Sequence, residues 1–351
     1  MKISAQNLTD AVTRIFVAGG CDPETASCIA ENLVDSNLCG HDSHGVIRVV
    51  QYMSYLRNNT VNPRGRMQVA YETPSVAVVD GQLGFGQVIG RQAMNLLADK
   101  AEQTGLAMVS IRNSSHIGRI GAWVEQLASR DLISLHFMNT TGLGMLAMPF
   151  GGTDRRLSLC VVAAGVPLPD RDPVLLDFAT TMTAEGKLRV ARNKGVPVPD
   201  GQIVDSTGNP STDANDFYNG GAILPMAGHK GHGLTMIADL LAGALSGGGC
   251  THPDETLMVN TMTSIAINPG PMTDRDQYAN ELIRYCDWVT GSPPRNPDQP
   301  VQLPGQMEFN NRRRRTAAGI EVDDLTWQQI SETAGSVGIS ADELGALVVD
   351  D

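Results

Sequence analysis

The sequence predicts an α/β protein, a layered body of helices and sheet joined to a small helical unit, and three observations predict it. From about residue 75 onward, short β-branched runs alternate with helical patterns, the mark of an α/β layer architecture. Residues before about 60 carry helical periodicity only. A Pro/Gly-rich connector, GSPPRNPDQPVQLPG (291–305), separates the body from a closing helical segment.

The elements follow in order. Leu8, Val12, Ile15 and Phe16 share one face of a first helix, which Gly19 and Gly20 stop; Ile29, Ala30, Leu33 and Val34 do the same for a second. A third is expected in HDSHGVIRVVQYMSYL (41–56), starting after Asp42 or Ser43, both good N-cap residues. Its apolar stripe is Val46, Val49, Val50, Met53 and Leu56. The opposite face lines up His44, Arg48 and Tyr52: a proton donor, a fixed cation and a phenol over two turns. This segment by itself reads equally as an active-site edge or as a capped, solvated polar face. Strands then fall at SVAVVD, AMVSIRN and ISLHFMN, with helices around 88–103 and through WVEQLASR. In the closing segment Trp327, Ile330 and Leu344 are the apolar positions, and Ser340 with Glu343 makes a capping box. We expect 1–72 to form a helical domain with 316–351 packed back on it, and 73–315 to form the α/β domain.

Composition excludes several classes of function. The 351 residues are 42% hydrophobic, enough for a large core, and the formal net charge of −12 argues against a nucleic-acid partner. The single basic run, RRRR (312–315), lies near EVDD (321–324) and reads as a locally paired turn. No apolar run is long enough to cross a bilayer, because LTMIADLLAGALSGG is broken by glycine and carries Asp239. Six cysteines without a CxxC pair, and an amino terminus without an apolar signal core, point to a reducing cytoplasm.

Four motifs bear on chemistry. GLGMLA fits the dinucleotide fingerprint at Gly142, Gly144 and Ala147, but Pro149 followed by Phe150, Gly151 and Gly152 prevents the long helix that would present amides to a pyrophosphate. In GHKGHGLTMIADLLAGAL (228–245), glycines flank Lys230 at a helix entrance, either a phosphate site or a glycine-eased start with an exposed lysine. His116, in RNSSHIGRIG, sits in a strand-to-helix loop where α/β proteins place ligands, with Asn113 or Ser114 as the helix cap; simple exposure is the alternative. His41/His44 and His229/His232 have H-x-x-H spacing without the HExxH pattern, so no metal is expected.

Taken together, GHDSHG (40–45), NSSHIGRIG, LLDFAT (175–180), KGVPVPDG with Asp205 to Gly208, HKGHGL (229–234), LAGALSGG and LPGQ (303–306) resemble one family over almost the whole chain. It is the malate/L-lactate dehydrogenase family unrelated to the Rossmann lactate dehydrogenases, which includes hydroxycarboxylate, ureidoglycolate and sulfolactate dehydrogenases, diketogulonate reductase and cyclic imino acid reductases. The resemblance implies a non-Rossmann three-layer fold with a mixed sheet, a homodimer, and NAD or NADP as cofactor. It implies His44 as the proton donor and acceptor, Ser43 as its orienting neighbour, Arg48 on the substrate carboxylate and His116 in the substrate pocket. Asp177, Phe178, Ala179, His229, Lys230, Gly305 and Gln306 would grip the cofactor. Two departures stand out: Ser158 to Val161 replace a G-T-N-P turn, and Lys187 stands where some members carry an acidic residue.

Hydride transfer to a 2-oxo acid needs a proton source, a cation for the carboxylate and a held nicotinamide, and these residues supply one of each. The expectation is an NAD(P)-dependent oxidoreductase acting on a small 2-hydroxy or 2-oxo carboxylic acid, with Tyr52 beside Arg48 at the substrate. The alternatives are reduction of a cyclic C=N imino acid and a non-catalytic nucleotide-binding relative.

Overall fold

The fold was analysed in a computed structural model that describes residues 1–255 and 257–348. Its centre is a seven-stranded sheet in the order Gln68–Glu72, Val76–Asp80, Leu106–Ser114, Asn260–Ile267, Ile133–Thr140, Val161–Leu168, Arg171–Ala179. Val76–Asp80 runs parallel to Leu106–Ser114 and the other neighbours are antiparallel, so the sheet is mixed, as the resemblance implied. A Rossmann sheet would be parallel here.

The two faces of this sheet differ in chemistry. Ala77, Val79, Val109, Ala163 and Met262 are buried with Ile89, Leu97, Trp123 and Val124 from the helices Gly86–Thr104 and Gly121–Ala128. The other side carries paired polar groups. Ser110 bonds Thr263, and Thr263 Oγ1 donates to the Leu241 carbonyl at 2.7 Å, whereas His136, between Ser264 and Ser134, is a paired polar group on the apolar side, level with Ala163. The helix His229–Asp239 and the π-helical turn Leu240–Ala244 cover the Thr263 side, completing three layers. A smaller five-stranded sheet, built from two- and three-residue strands, has its own core of Leu188, Ile203, Phe217 and Ile223.

The amino-terminal helices Ala5–Ala18 and Pro23–Leu38 start at Ser4 and Asp22, whose side chains accept from Asn7 N and Thr25 N. Their apolar faces share one buried cluster with Ile320, Ile330, Ala334, Leu344 and Val348, and the strand pair Lys2–Ile3 and Ile320–Glu321 ties the two ends together. The capping box is present as expected: Ser340 N donates to Glu343 Oε2 at 2.9 Å and Glu343 N to Ser340 Oγ at 3.2 Å.

Three local expectations are corrected. The HDSHG segment does not open a helix: Asp42–His44 is a 3-10 turn, and the α-helix runs Arg48–Arg57 with no side-chain cap. Asn37, in the preceding helix, competes for this backbone, taking Val46 N on Oδ1 at 2.8 Å and donating Nδ2 to Asp42 at 2.7 Å. Tyr52 is not on a solvated face but 1% exposed, while Val50 and Leu56 are only half-buried. Neither Asn113 nor Ser114 caps the next helix, which begins at Gly121 with its first amide held by Asp177 Oδ2 at 2.7 Å. GLGMLA behaves as expected, a 3-10 turn at Gly142–Gly144 followed by the strand Met145–Ala147 and no helix. A fourth expectation, the locally paired turn at RRRR, is also corrected: the run lies in the helix Gln306–Ala318 and pairs with residues remote in sequence rather than with EVDD, Arg312 with Asp35 and Glu125, Arg313 with Asp172, Arg315 with Asp42.

Candidate active site

The carboxyl end of the strand Arg171–Ala179 is where separate motifs converge. Leu175 N donates to the Pro304 carbonyl at 3.0 Å, which sets Gly305 and Gln306 beside the strand. Gly305 has φ +87° and an added Cβ would lie 2.7 Å from Leu175 Cβ, so both its conformation and the space require glycine. Beyond the strand, Met226 N donates to the Thr180 carbonyl at 3.0 Å and Thr235 Oγ1 to Thr180 Oγ1 at 2.8 Å, which draws in the start of the helix His229–Asp239. The next helix, Glu185–Lys194, opens with Gly186 against Ser43.

His44 and His116 reach this region from different parts of the chain and stack, with ring centroids 5.7 Å apart and planes at 18°. Ser43 Oγ lies 3.2 Å from His44 Nδ1. Arg48 is fixed from two sides, its Nε donating to the Ser43 carbonyl at 2.7 Å and its Nη1 to Gln51 Oε1 at 2.6 Å. Burial, with the Arg48 guanidinium next, pushes the half-buried His44 down to about 3. The same causes, with His44 itself, hold His116 well below the usual histidine range. Both rings are therefore neutral near pH 7. Tyr52 approaches from below, its hydroxyl 2.6 Å from His116 Nδ1, and Gln87 Nε2 donates to that hydroxyl at 2.8 Å.

Asp177 is directed at its own fold, since its carboxylate receives Gly121 N, and burial pushes its pKa up. Phe178 and Ala179, half-buried, pair with Val162 and Val161 in the sheet. His229 and Lys230 are exposed in the first turn of their helix, whose N-cap Gly228 supplies no side-chain bond, so the helix's leading amides lack a capping side chain. His229 packs edge-on against Phe150. Gln306 Oε1 accepts from Leu303 N at 3.0 Å. Of the H-x-x-H pairs, His41 meets Glu308 at 3.3 Å and His232 Nδ1 accepts from Phe150 N. At the departing positions, the Cys160 carbonyl takes Thr180 N at 3.0 Å, and Lys187 is exposed.

Sequence reasoning missed Gln87 and Asn37, the buried amides behind Tyr52 and behind the 3-10 turn. Each is a polar residue inside an apolar helical pattern, and that is the signal they leave. It also missed Arg119, 2% exposed, which joins Asp35 and Glu125 beneath the site.

A mixed-sheet body with these motifs gathered at one strand end is the architecture of the malate/L-lactate dehydrogenases. That family's sequence pattern matches residues 3–331, and the chain belongs to it. It is an oxidoreductase of the hydroxycarboxylate dehydrogenase type. It is 38% identical over 353 residues to the hydroxycarboxylate dehydrogenase B of Escherichia coli (strain K12), covering 98% of this chain and 97% of that protein. Among solved structures it is similar to a candidate malate/lactate dehydrogenase from E. coli, with a TM-score of 0.94, 36% identity, and 99% and 98% of the two chains covered. It is also similar to the delta1-piperideine-2-carboxylate reductase of Pseudomonas syringae pv. tomato, with a TM-score of 0.83, 30% identity, and 95% and 99% covered.

Proposed function

We propose that the protein transfers a hydride between a nicotinamide cofactor, NAD or NADP, and a small 2-hydroxy or 2-oxo carboxylic acid. The observation that carries this reading is the convergence of two neutral imidazoles and a tethered guanidinium at one place. Arg48 offers the carboxylate a charged hydrogen-bonding partner. His44, oriented through Nδ1 by Ser43, takes the hydroxyl proton in the oxidation direction and returns it in reduction, a task for which a neutral imidazole is in the right state. His116 completes the pocket.

The residues present fit a dinucleotide. The uncapped, glycine-led helix start with Lys230 suits a phosphate, and the glycine turn at Gly305, packed closely against Leu175, sets Gln306 beside the strand bearing Phe178 and Ala179. Such a cofactor, when bound, supplies the hydride acceptor or donor. Asp177 serves that site by fixing the Gly121 helix start. On this reading 1–72 with 316–351 is the helical domain that delivers Ser43, His44 and Arg48 to the 73–315 body.

The reading carries a homodimer and a cytoplasmic location. Exposed Met236, Ile237, Leu240 and Leu245, clustered on the helix from 229 and the turn that follows it, support a second copy as the cover, which light scattering tests. The deciding experiment is a panel of 2-oxo acids with NADH and NADPH. Turnover of one supports the reading, and coenzyme binding seen by fluorescence without any turnover favours a non-catalytic nucleotide-binding relative. The likeness to a piperideine-carboxylate reductase supports a second reading, reduction of a cyclic imino acid by the same donor and clamp, so cyclic imines belong in the panel.

A further inference from the structure

Tyr52 is 1% exposed, with its ring near Phe16, Tyr55 and Phe85. Among the described residues its hydroxyl meets two polar groups, Gln87 Nε2 at 2.8 Å and His116 Nδ1 at 2.6 Å. The amide's orientation follows from its second neighbour. Gln87 Nε2 also faces the His116 backbone carbonyl at 3.5 Å, and a carbonyl can only accept, so the nitrogen and not the oxygen belongs on that side. Gln87 therefore donates to the phenol oxygen, and the phenol's single proton has one acceptor left, His116 Nδ1. A neutral imidazole that accepts at Nδ1 carries its proton on Nε2.

We propose that Gln87 and Tyr52 are positioning residues that lock His116 as the Nε2–H tautomer, making it a fixed hydrogen-bond donor to the substrate oxygen and leaving proton exchange to His44. The proposal rests on the hydride-transfer reading above and deepens it by separating the roles of two imidazoles that the family motif supplies together. In the oxidation direction the substrate O–H bond breaks as the N–H bond forms on His44, and His116 keeps its own proton throughout. A neutral donor aimed at developing alkoxide charge acts without giving up a proton, as an oxyanion hole does. The charged and titratable groups facing His116 are Arg48, His44 and Tyr52, the first two lowering its pKa along with burial, which keeps the neutral donor form in place.

The test is 15N NMR of histidine-labelled protein without substrate, the His116 signals being assigned with His116→Gln. The expected wild-type spectrum shows a protonated Nε2 and a pyridine-like Nδ1 near neutral pH. Tyr52→Phe should convert it to a mixture or to Nδ1–H and lower kcat roughly tenfold to a hundredfold with a smaller change in KM. A wild-type proton on Nδ1, the result of the opposite amide orientation, overturns the proposal. So does a folded Tyr52→Phe protein with the wild-type tautomer and kcat. If Tyr52→Phe fails to fold, the wild-type spectrum decides alone. Because the tautomer is read without substrate, a protein inactive on the whole panel yet locked at Nε2–H refutes the hydride-transfer reading and not the lock.

Discussion

Replacing Gly45 by alanine tests how the turn that carries His44 is held. Gly45 has φ −86°, so the backbone tolerates any residue and the effect is one of space. An added Cβ would overlap the Asn37 carboxamide, coming within 2.5 Å of Nδ2. Asn37 is 4% exposed and must move, giving up both the bond from Val46 N and the bond to Asp42. One neutral bond is worth about 1 kcal/mol and one to a charged group about 1.5–3, so Gly45→Ala should cost roughly 2–4 kcal/mol. Urea unfolding measures this, and kcat should fall at least about tenfold because the neighbouring His44 loses its placement. Asn37→Ala removes the same two bonds at a similar cost. In that background Gly45→Ala has nothing left to displace and should cost well under about 1 kcal/mol, giving a coupling energy of about 2 kcal/mol or more in the cycle. Two costs that simply add would refute the reasoning, as would a Gly45→Ala protein of wild-type stability.

His44→Gln should lower kcat by about a hundredfold to ten-thousandfold with a modest change in KM, whereas Arg48→Met should act mainly as a raised KM for the acid substrate; steady-state kinetics separate them, and wild-type turnover in His44→Gln ends the catalytic assignment. Lys230→Met should weaken coenzyme binding by roughly 1.5–3 kcal/mol in a fluorescence titration while unfolding is unchanged; equal affinity removes Lys230 from the site. Burial pushes His136 down to about 3, so the unfolded chain takes up a proton there as pH drops below 6.5 and the folded state does not. Stability from this group is present above that pH and lost on acidification. His136→Gln should therefore make the slope of unfolding free energy between about pH 4 and 6 shallower by about 1.4 kcal/mol per unit, and an unchanged slope refutes the assignment.

Unlike the other four strands of the main sheet, the strands at SVAVVD, AMVSIRN and ISLHFMN with the helices between them were legible in the sequence, as were the failure of GLGMLA as a phosphate loop and the capping box at Ser340. Each rests on contacts between residues a few positions apart, where periodicity and proline decide the outcome. The motifs His44, His116, Asp177, Lys230 and Gly305 were legible as separate segments. What no local pattern contains is which groups meet, and there the tertiary structure decided. The HDSHG segment looked like a helix start because Asp42 and Ser43 are good caps, but Asn37 and Arg315 take Asp42 and a 3-10 turn results. Tyr52 looked like a substrate-facing phenol by its four-residue spacing from Arg48. The break in the helix before Arg48 takes His44 off that face, and within the helix Tyr52 is buried against Gln87, 35 positions away, and His116. Spacing along one helix fixes angles only while that helix continues. Once the backbone turns, the partner of a buried polar group is whichever donor or acceptor the packed core brings within about 3 Å, and only the assembled fold determines that.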